Sequence, residues 1–184
     1  MNVSHIVAKG MDNGSLTAEE IGQLFEVPLF SEESAKIIAA GRKKSERACD
    51  GLAEVHGQVG LNVAPCPRNC KFCAFAAING VFKESTRLTV EEAIRQARQF
   101  EQDGANAIFF MATAQYPMEE YIDISRDICD ALKDETVMIA NVGDFSLSQA
   151  HELREAGYAG IYHAVRLGEG TQTTLSPEMR MKTF

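Results

Sequence analysis

From Thr89 onward the chain alternates between two hydrophobic rhythms. Val90, Ala93, Ile94, Ala97 and Phe100 recur at helical spacing behind Thr89 and Glu92, and Gly104 supplies the stop. The next run, Ala107-Ile108-Phe109-Phe110-Met111-Ala112, is apolar without interruption, the pattern of a strand buried on both faces. A second helix is predicted over 118–133, with Tyr121, Ile124, Ile128 and Leu132 inward, and a strand over 137–141. Ser146 and Gln149 cap a third helix that ends at Gly157, and a further strand is expected over 161–166. The joints repeat: Asp103-Gly104-Ala105-Asn106-Ala107-Ile108 resembles Ala156-Gly157-Tyr158-Ala159-Gly160-Ile161. Such strand–helix alternation predicts parallel strands joined by right-handed crossovers.

Upstream, Val59, Leu61 and Val63 alternate as in a first strand, and a cysteine-bearing loop follows over 65–80. Before it the pattern is helical. Thr17 and Glu20 form a capping box, with Leu16 and Ile21 as a hydrophobic staple, for a short helix that stops near Pro28. Ser31 caps another, with Glu32 and Glu33 in its first turn, expected to run to about Val55. Residues 1–14 carry little signal and are expected to be loose. The organisation read from this is a helical extension over 1–56 and an α/β core over 57–184. That core is a partial TIM-type barrel of about four βα units, favoured over an open doubly wound sheet because no phosphate-cradling glycine loop follows the first strand. Ser176-Pro177-Glu178 starts a helix that has only about two turns before Phe184. Four strands do not close a barrel and leave an open parallel edge, so a C-terminally truncated barrel is expected. The alternatives are a last helix that covers the edge, or two chains that complete each other.

Composition narrows the class. Of 184 residues, 45% are hydrophobic and 24% charged, the balance of a soluble globular domain rather than a disordered or fibrous chain. The formal charge of −8 argues against nucleic acid as the partner, since phosphate binding needs clustered cations. No run reaches the roughly 20 apolar residues of a membrane span, and the N-terminus lacks an export signal, so a cytoplasmic protein is expected. Five cysteines, three of them within eight residues, fit a metal or iron–sulfur centre better than a disulfide framework.

Those three are Cys66, Cys70 and Cys73, in Cys66-Pro67-Arg68-Asn69-Cys70-Lys71-Phe72-Cys73. Three thiolates from one compact loop can hold three irons of a four-iron, four-sulfur (4Fe–4S) cluster, leaving the fourth open to a small molecule. The loop follows a strand's C-terminal end, where βα-barrels build their sites. Arg68 and Lys71 are expected to favour the ionised thiols. The competing reading is structural zinc, which wants four protein ligands. The fourth would come from Cys49, His56, Cys129 or His163, none at a recognised spacing.

This C-x-x-x-C-x-x-C loop, with an aromatic before its last cysteine, resembles that of the radical S-adenosylmethionine superfamily. Cys70-Lys71-Phe72-Cys73-Ala74-Phe75 and the N-terminal helices are most similar to the biotin-synthase-like branch, which includes methylornithine synthase and hydrogenase cofactor maturases. The likeness spans roughly residues 16–183 and only the first half of a family barrel. It implies an enzyme in which S-adenosylmethionine chelates the open iron, and an electron from the cluster cleaves it to methionine and a 5′-deoxyadenosyl radical that abstracts a substrate hydrogen. It implies as partners a small-molecule substrate and a flavodoxin or ferredoxin donor. Phe72 matches the aromatic whose backbone meets the adenine. Where many members carry Gly-Gly-Glu after the second strand to bind the cofactor's amino group, this chain reads Met111-Ala112-Thr113-Ala114-Gln115; Thr113 is the candidate to accept that bond. Asn141 is a candidate for ribose or substrate. Arg166 and Glu169 are similar to an Arg and Glu near the methionyl end and ribose, and an arginine fork suits a carboxylate.

Each has a plainer reading. Arg166 and Glu169 also read as a surface ion pair, and Asn141 beside Gly143 as turn chemistry. His163 is expected mid-strand on the face of Ile161 and Val165, an interior or interface residue more than a catalytic acid; no catalytic side chain is assigned. His56 and His151 read as solvent-facing and Cys129 as core. The competing class is a non-catalytic iron–sulfur or zinc module, favoured by the missing acid and missing strands. The substrate is expected to meet later strands, and the open edge leaves self-association possible.

Overall fold

The computed structural model describes residues 3–166 and 168–183. The chain divides into two compact units, Met1–Ala53 and Glu54–Phe184.

The first unit holds helices α1 (Ser4–Met11), α2 (Ala18–Phe25) and α3 (Glu32–Ala48). The expectation of a loose 1–14 is corrected by α1, whose Ile6 is fully buried and whose Lys9 ammonium pairs with Glu20 at 2.7 Å. The Thr17–Glu20 capping box forms, and the Ser31 hydroxyl accepts from the Ser34 amide. α3 stops at Ala48 instead of running to about Val55. Asp50 and Gly51 follow with φ of 49° and 74°, left-handed values that no right-handed helix continues through.

The second unit is built on a parallel sheet of four strands, β1 (His56–Gly60), β4 (Ala107–Met111), β5 (Val137–Asn141) and β6 (Tyr158–Ile161), in that order. A two-stranded antiparallel ribbon, β2 (Asn62–Val63) with β3 (Thr86–Arg87), flanks the cysteine loop. The connecting helices are α4 (Val90–Gln102), α5 (Met118–Ala131) and α6 (Leu147–Glu155); α7 (Pro177–Met181) follows the last strand. The sheet is α/β, parallel and not closed, as the βα rhythm predicts.

The core lies between the helices and one face of the sheet. Val59, Ile108, Phe110, Met138 and Ala140 alternate onto that face and meet Ala93, Ala97, Tyr121, Ile128 and Leu153 from the helices. Tyr121 donates to the Phe110 carbonyl at 2.7 Å, and the Tyr158 hydroxyl lies 2.8 Å from that of Ser125. Burial pushes the Tyr158 phenol up to about 12 and that of Tyr121 well above its ordinary value, so both stay neutral hydrogen-bonding groups. Cys129 packs against this core, as expected. Residues of opposite parity, Phe109, Met111, Ile139 and Asn141, are only half-buried on the other face.

Two strand expectations are corrected. The first strand divides: β1 ends at Gly60 and β2 begins at Asn62. Between them the Leu61 amide donates to the Met111 carbonyl, and the Leu61 carbonyl accepts from the Leu88 amide, so one residue serves two sheets. The fourth strand is Tyr158–Ile161, not 161–166. Gly157, at φ 98°, turns directly into Tyr158, whose side chain is the one the core takes. After the Tyr162 amide donates to the Ala140 carbonyl, the chain leaves the sheet. His163 therefore lies beyond the strand rather than within it.

Candidate active site

All four strands of the sheet deliver their C-terminal ends to one cavity of about 380 Å³. Its wall includes Cys66, Cys70 and Cys73, together with Phe72, Thr113, Asn141, His163, Arg166 and Arg180.

The cysteine loop is held largely by its own backbone. The Cys66 amide donates to the Phe75 carbonyl at 2.6 Å, and the Cys66 carbonyl accepts from the Ala77 amide at 3.0 Å. The Cys73 amide turns back to the Cys70 carbonyl at 2.9 Å, while the Asn79 side chain donates to the Cys73 carbonyl. Asn69 takes a left-handed φ of 46°, and its side-chain oxygen accepts from the Ile78 amide. Phe75 stacks on Phe82 with ring centroids 4.9 Å apart. The three cysteines are half-buried free thiols. Among the described residues, no three His, Cys, Asp or Glu groups converge on a single metal ion. Of the four residues weighed as a fourth zinc ligand, His163 lines the cavity; Cys129 sits in the core and His56 is exposed at the start of β1.

Burial, then the neighbouring Cys73, raises the Cys70 thiol above its ordinary value, while Arg166 opposes that rise. The cation acting on this thiol thus comes from the loop after β6. Arg68 and Lys71, expected to play that part from their place beside the cysteines, are not among the leading influences on it.

The other residues predicted from sequence are brought to the same place, with one exception in depth. Phe72 stands at the cavity, 61% exposed as a residue. Thr113 is locked to the first strand's exit: its hydroxyl accepts from the Asn62 amide group at 2.8 Å, and its backbone amide donates to the Asn62 side-chain oxygen at 2.8 Å. Asn141 ends β5 with its carbonyl accepting from the Ala112 amide. Arg166 reaches the cavity half-exposed, 3.8 Å from Glu169. Glu169 lies behind the wall, its side chain wholly buried, so the pair is not a surface one. Burial alone would raise the Glu169 carboxyl. The Thr173 hydroxyl, the Arg166 amide, Arg180 and Arg166 outweigh it and hold the carboxyl below its ordinary value.

Three participants escaped the sequence reading. Arg180 extends from α7, nearly buried, 3.0 Å from Asp144 and 3.4 Å from Glu169. Asp144 also lies 3.4 Å from the His163 ring. Asn62 forms the Thr113 clamp. The Ser176 cap foretold α7 and is formed, with its hydroxyl accepting from the Met179 amide, but five residues give no periodicity to say which face turns inward. The cavity's charged lining is therefore Arg68, Arg166 and Arg180.

The fold thus defines a class, an open half-barrel of parallel strands, with three cysteines and two arginines, Arg166 and Arg180, brought to one cavity. Residues 65–169, more than half of the chain, match the model of the Radical SAM superfamily, and the chain belongs to that superfamily. It is 27% identical over 157 residues to a biotin synthase of Anaplasma marginale (strain Florida), covering 84% of this chain and 47% of the relative. It is 24% identical over 186 residues to biotin synthase 1 of Corynebacterium diphtheriae, covering 96% and 52%. The chain thus spans about half the length of the curated relatives it matches. Among solved structures it is similar to methylornithine synthase PylB (TM-score 0.71, 16% identity, 84% of this chain and 45% of that one). It is also similar to the FeFe-hydrogenase maturase HydG from Carboxydothermus hydrogenoformans (TM-score 0.67, 21% identity, 86% and 37%). Those two likenesses establish the fold. Among the described residues, no helix is long and apolar enough to cross a membrane.

Proposed function

We propose that this chain carries the cofactor-binding half of a radical S-adenosylmethionine enzyme of the biotin-synthase-like group. Cys66, Cys70 and Cys73 hold a 4Fe–4S cluster; three soft sulfur donors on one cavity wall suit iron–sulfur chemistry. Bound there, the cluster supplies the electron that cleaves S-adenosylmethionine to methionine and a 5′-deoxyadenosyl radical, which takes a hydrogen atom from a small-molecule substrate. Arg180 and Arg166 are the anchors for the cofactor's carboxylate, and buried Glu169 fixes both. The Phe72 backbone meets the adenine. Thr113, already accepting from Asn62, offers its hydroxyl proton and carbonyl toward the cofactor's methionyl end, and Asn141 reads ribose or substrate. The half-buried apolar face of Phe109, Met111 and Ile139 excludes water below the site. A flavodoxin or ferredoxin serves as electron donor.

The observation that carries this reading is the sharing of one cavity by the three cysteines and the two arginines. Its test is anaerobic reconstitution with iron and sulfide. Brown absorbance, and a reduced-cluster resonance that shifts when S-adenosylmethionine is added, are expected for the unmodified chain. Cys→Ala at position 66, 70 or 73 should lose both. A variant that keeps iron and the shift sinks the assignment. Zinc bound without iron would instead support a non-catalytic module, the reading that the missing acid at Met111-Ala112-Thr113-Ala114-Gln115 favours.

A further inference from the structure

The loop after the fourth strand touches the cysteine loop through contacts that neither cluster ligation nor carboxylate binding requires. The Lys71 amide donates to the Gln172 carbonyl at 2.8 Å. The Thr174 hydroxyl donates to the Arg68 carbonyl at 2.8 Å, and the Thr174 amide meets the same carbonyl at a longer 3.4 Å. Arg68 and Lys71 bracket Cys70, so both anchors grip the segment that presents the middle cysteine.

The gripping loop is itself held firmly. The Gln172 amide donates to the Gly168 carbonyl at 2.7 Å, and the buried Thr173 hydroxyl bonds the Glu169 carboxylate. Leu175 is fully buried. Glu169, at the near end, pairs with Arg180 and Arg166. One segment is thus fixed to the arginines at one end and to the cysteine loop at the other. The cysteine loop's own bonds tie Cys66, Asn69, Cys70 and Cys73 to one another and to the residues up to Asn79, while the backbone bonds at Arg68 and Lys71, on either side of Cys70, come from this second loop.

We propose that segment 168–175 is a latch that shapes the cysteine loop before iron arrives, with Thr174 as its positioning residue; this rests on the reading that the three cysteines hold a cluster. The latch is tested on the whole chain without metal, by amide hydrogen exchange. Thr174→Val removes the hydroxyl bond and leaves the long amide contact. The Lys71 amide then exchanges about five- to tenfold faster relative to the Phe110 amide in the central strand, the effect of one hydrogen bond lost. Iron uptake on anaerobic reconstitution falls with it, and Thr174→Ser restores both. A Lys71-to-Phe110 ratio unchanged in Thr174→Val overturns the latch. If the unmodified chain takes up no iron, the cluster reading fails, while the amide ratio still decides the latch. Should Thr174→Val not fold, the unmodified chain decides: the Lys71 and Gln172 amides open with a common constant as denaturant rises, and separate openings overturn the proposal.

Discussion

Arg180 lines the cavity and is held between Asp144 and Glu169 before any ligand arrives, so its guanidinium is already oriented. Arg180→Lys keeps the charge but not the fork, and is expected to weaken S-adenosylmethionine binding to the reconstituted protein about tenfold, measured by equilibrium dialysis. Wild-type affinity in that variant would remove Arg180 from the cofactor's carboxylate. His163, on the same network, sets a pH dependence. Burial, then Arg180, pushes its imidazole below the ordinary 6.5, with Asp144 pulling the other way. The unfolded chain therefore takes up this proton before the folded one, and stability falls as the pH drops from about 6.5 toward the lower folded value. The melting temperature of the metal-free chain should decline between pH 7 and pH 5, and His163→Gln should flatten the upper part of that decline. Glu169, depressed below 4.5, extends the loss further down: its contribution is complete above the unfolded value and vanishes as the pH falls through the folded one. The cysteines were legible because a motif marks them, and Arg166 and Glu169 because they resemble a family Arg and Glu, although the strand they were read against ends at Ile161. Arg180, Asp144 and Asn62 were not, because only tertiary contact gives them their partners.

At the scale of elements, turn chemistry decides where strands fall. Gly157 holds φ 98°, and a Cβ there would lie 2.3 Å from the Cys129 sulfur on α5. Gly157→Ala should therefore cost about 2–3 kcal/mol in denaturant unfolding, combining left-handed strain with overpacking. Adding Cys129→Ala should recover the packing part and leave the backbone part; no recovery would mean that the sulfur is not what the methyl meets. This turn also explains the misplaced fourth strand. Hydrophobic spacing over 161–166 resembles a strand, but the chain pairs at once after the glycine, where Tyr158 gains burial and a hydroxyl partner in Ser125. The third strand was read to the residue, Val137–Asn141. α1 was missed because its apolar burial falls on one residue, Ile6, too little for a periodicity.

On the scale of the whole molecule, among the described residues β1 pairs with β4 alone and β6 with β5 alone, so each outer strand has one ladder face unmatched within the sheet. Concentration-dependent self-association is expected by light scattering, and a monomer at every accessible concentration would show those edges to be shielded. The half-barrel itself was legible, since βα alternation is a local pattern repeated; the depth ordering of Arg166, Glu169 and Arg180 was not, since it arises only when the fourth loop and α7 close on the site. The distribution of charge has a kinetic meaning. The chain carries a formal −8, yet the charged groups lining the cavity are three arginines. S-adenosylmethionine is a sulfonium and an ammonium with one carboxylate, a net cation with an anionic tip. If that cofactor is the ligand, as proposed, an acidic exterior would draw it in and the arginines would turn its tip inward, so that capture would be steered twice by fields of opposite sign. Added salt should then slow arrival more than it speeds departure, with the cost appearing in the association rate.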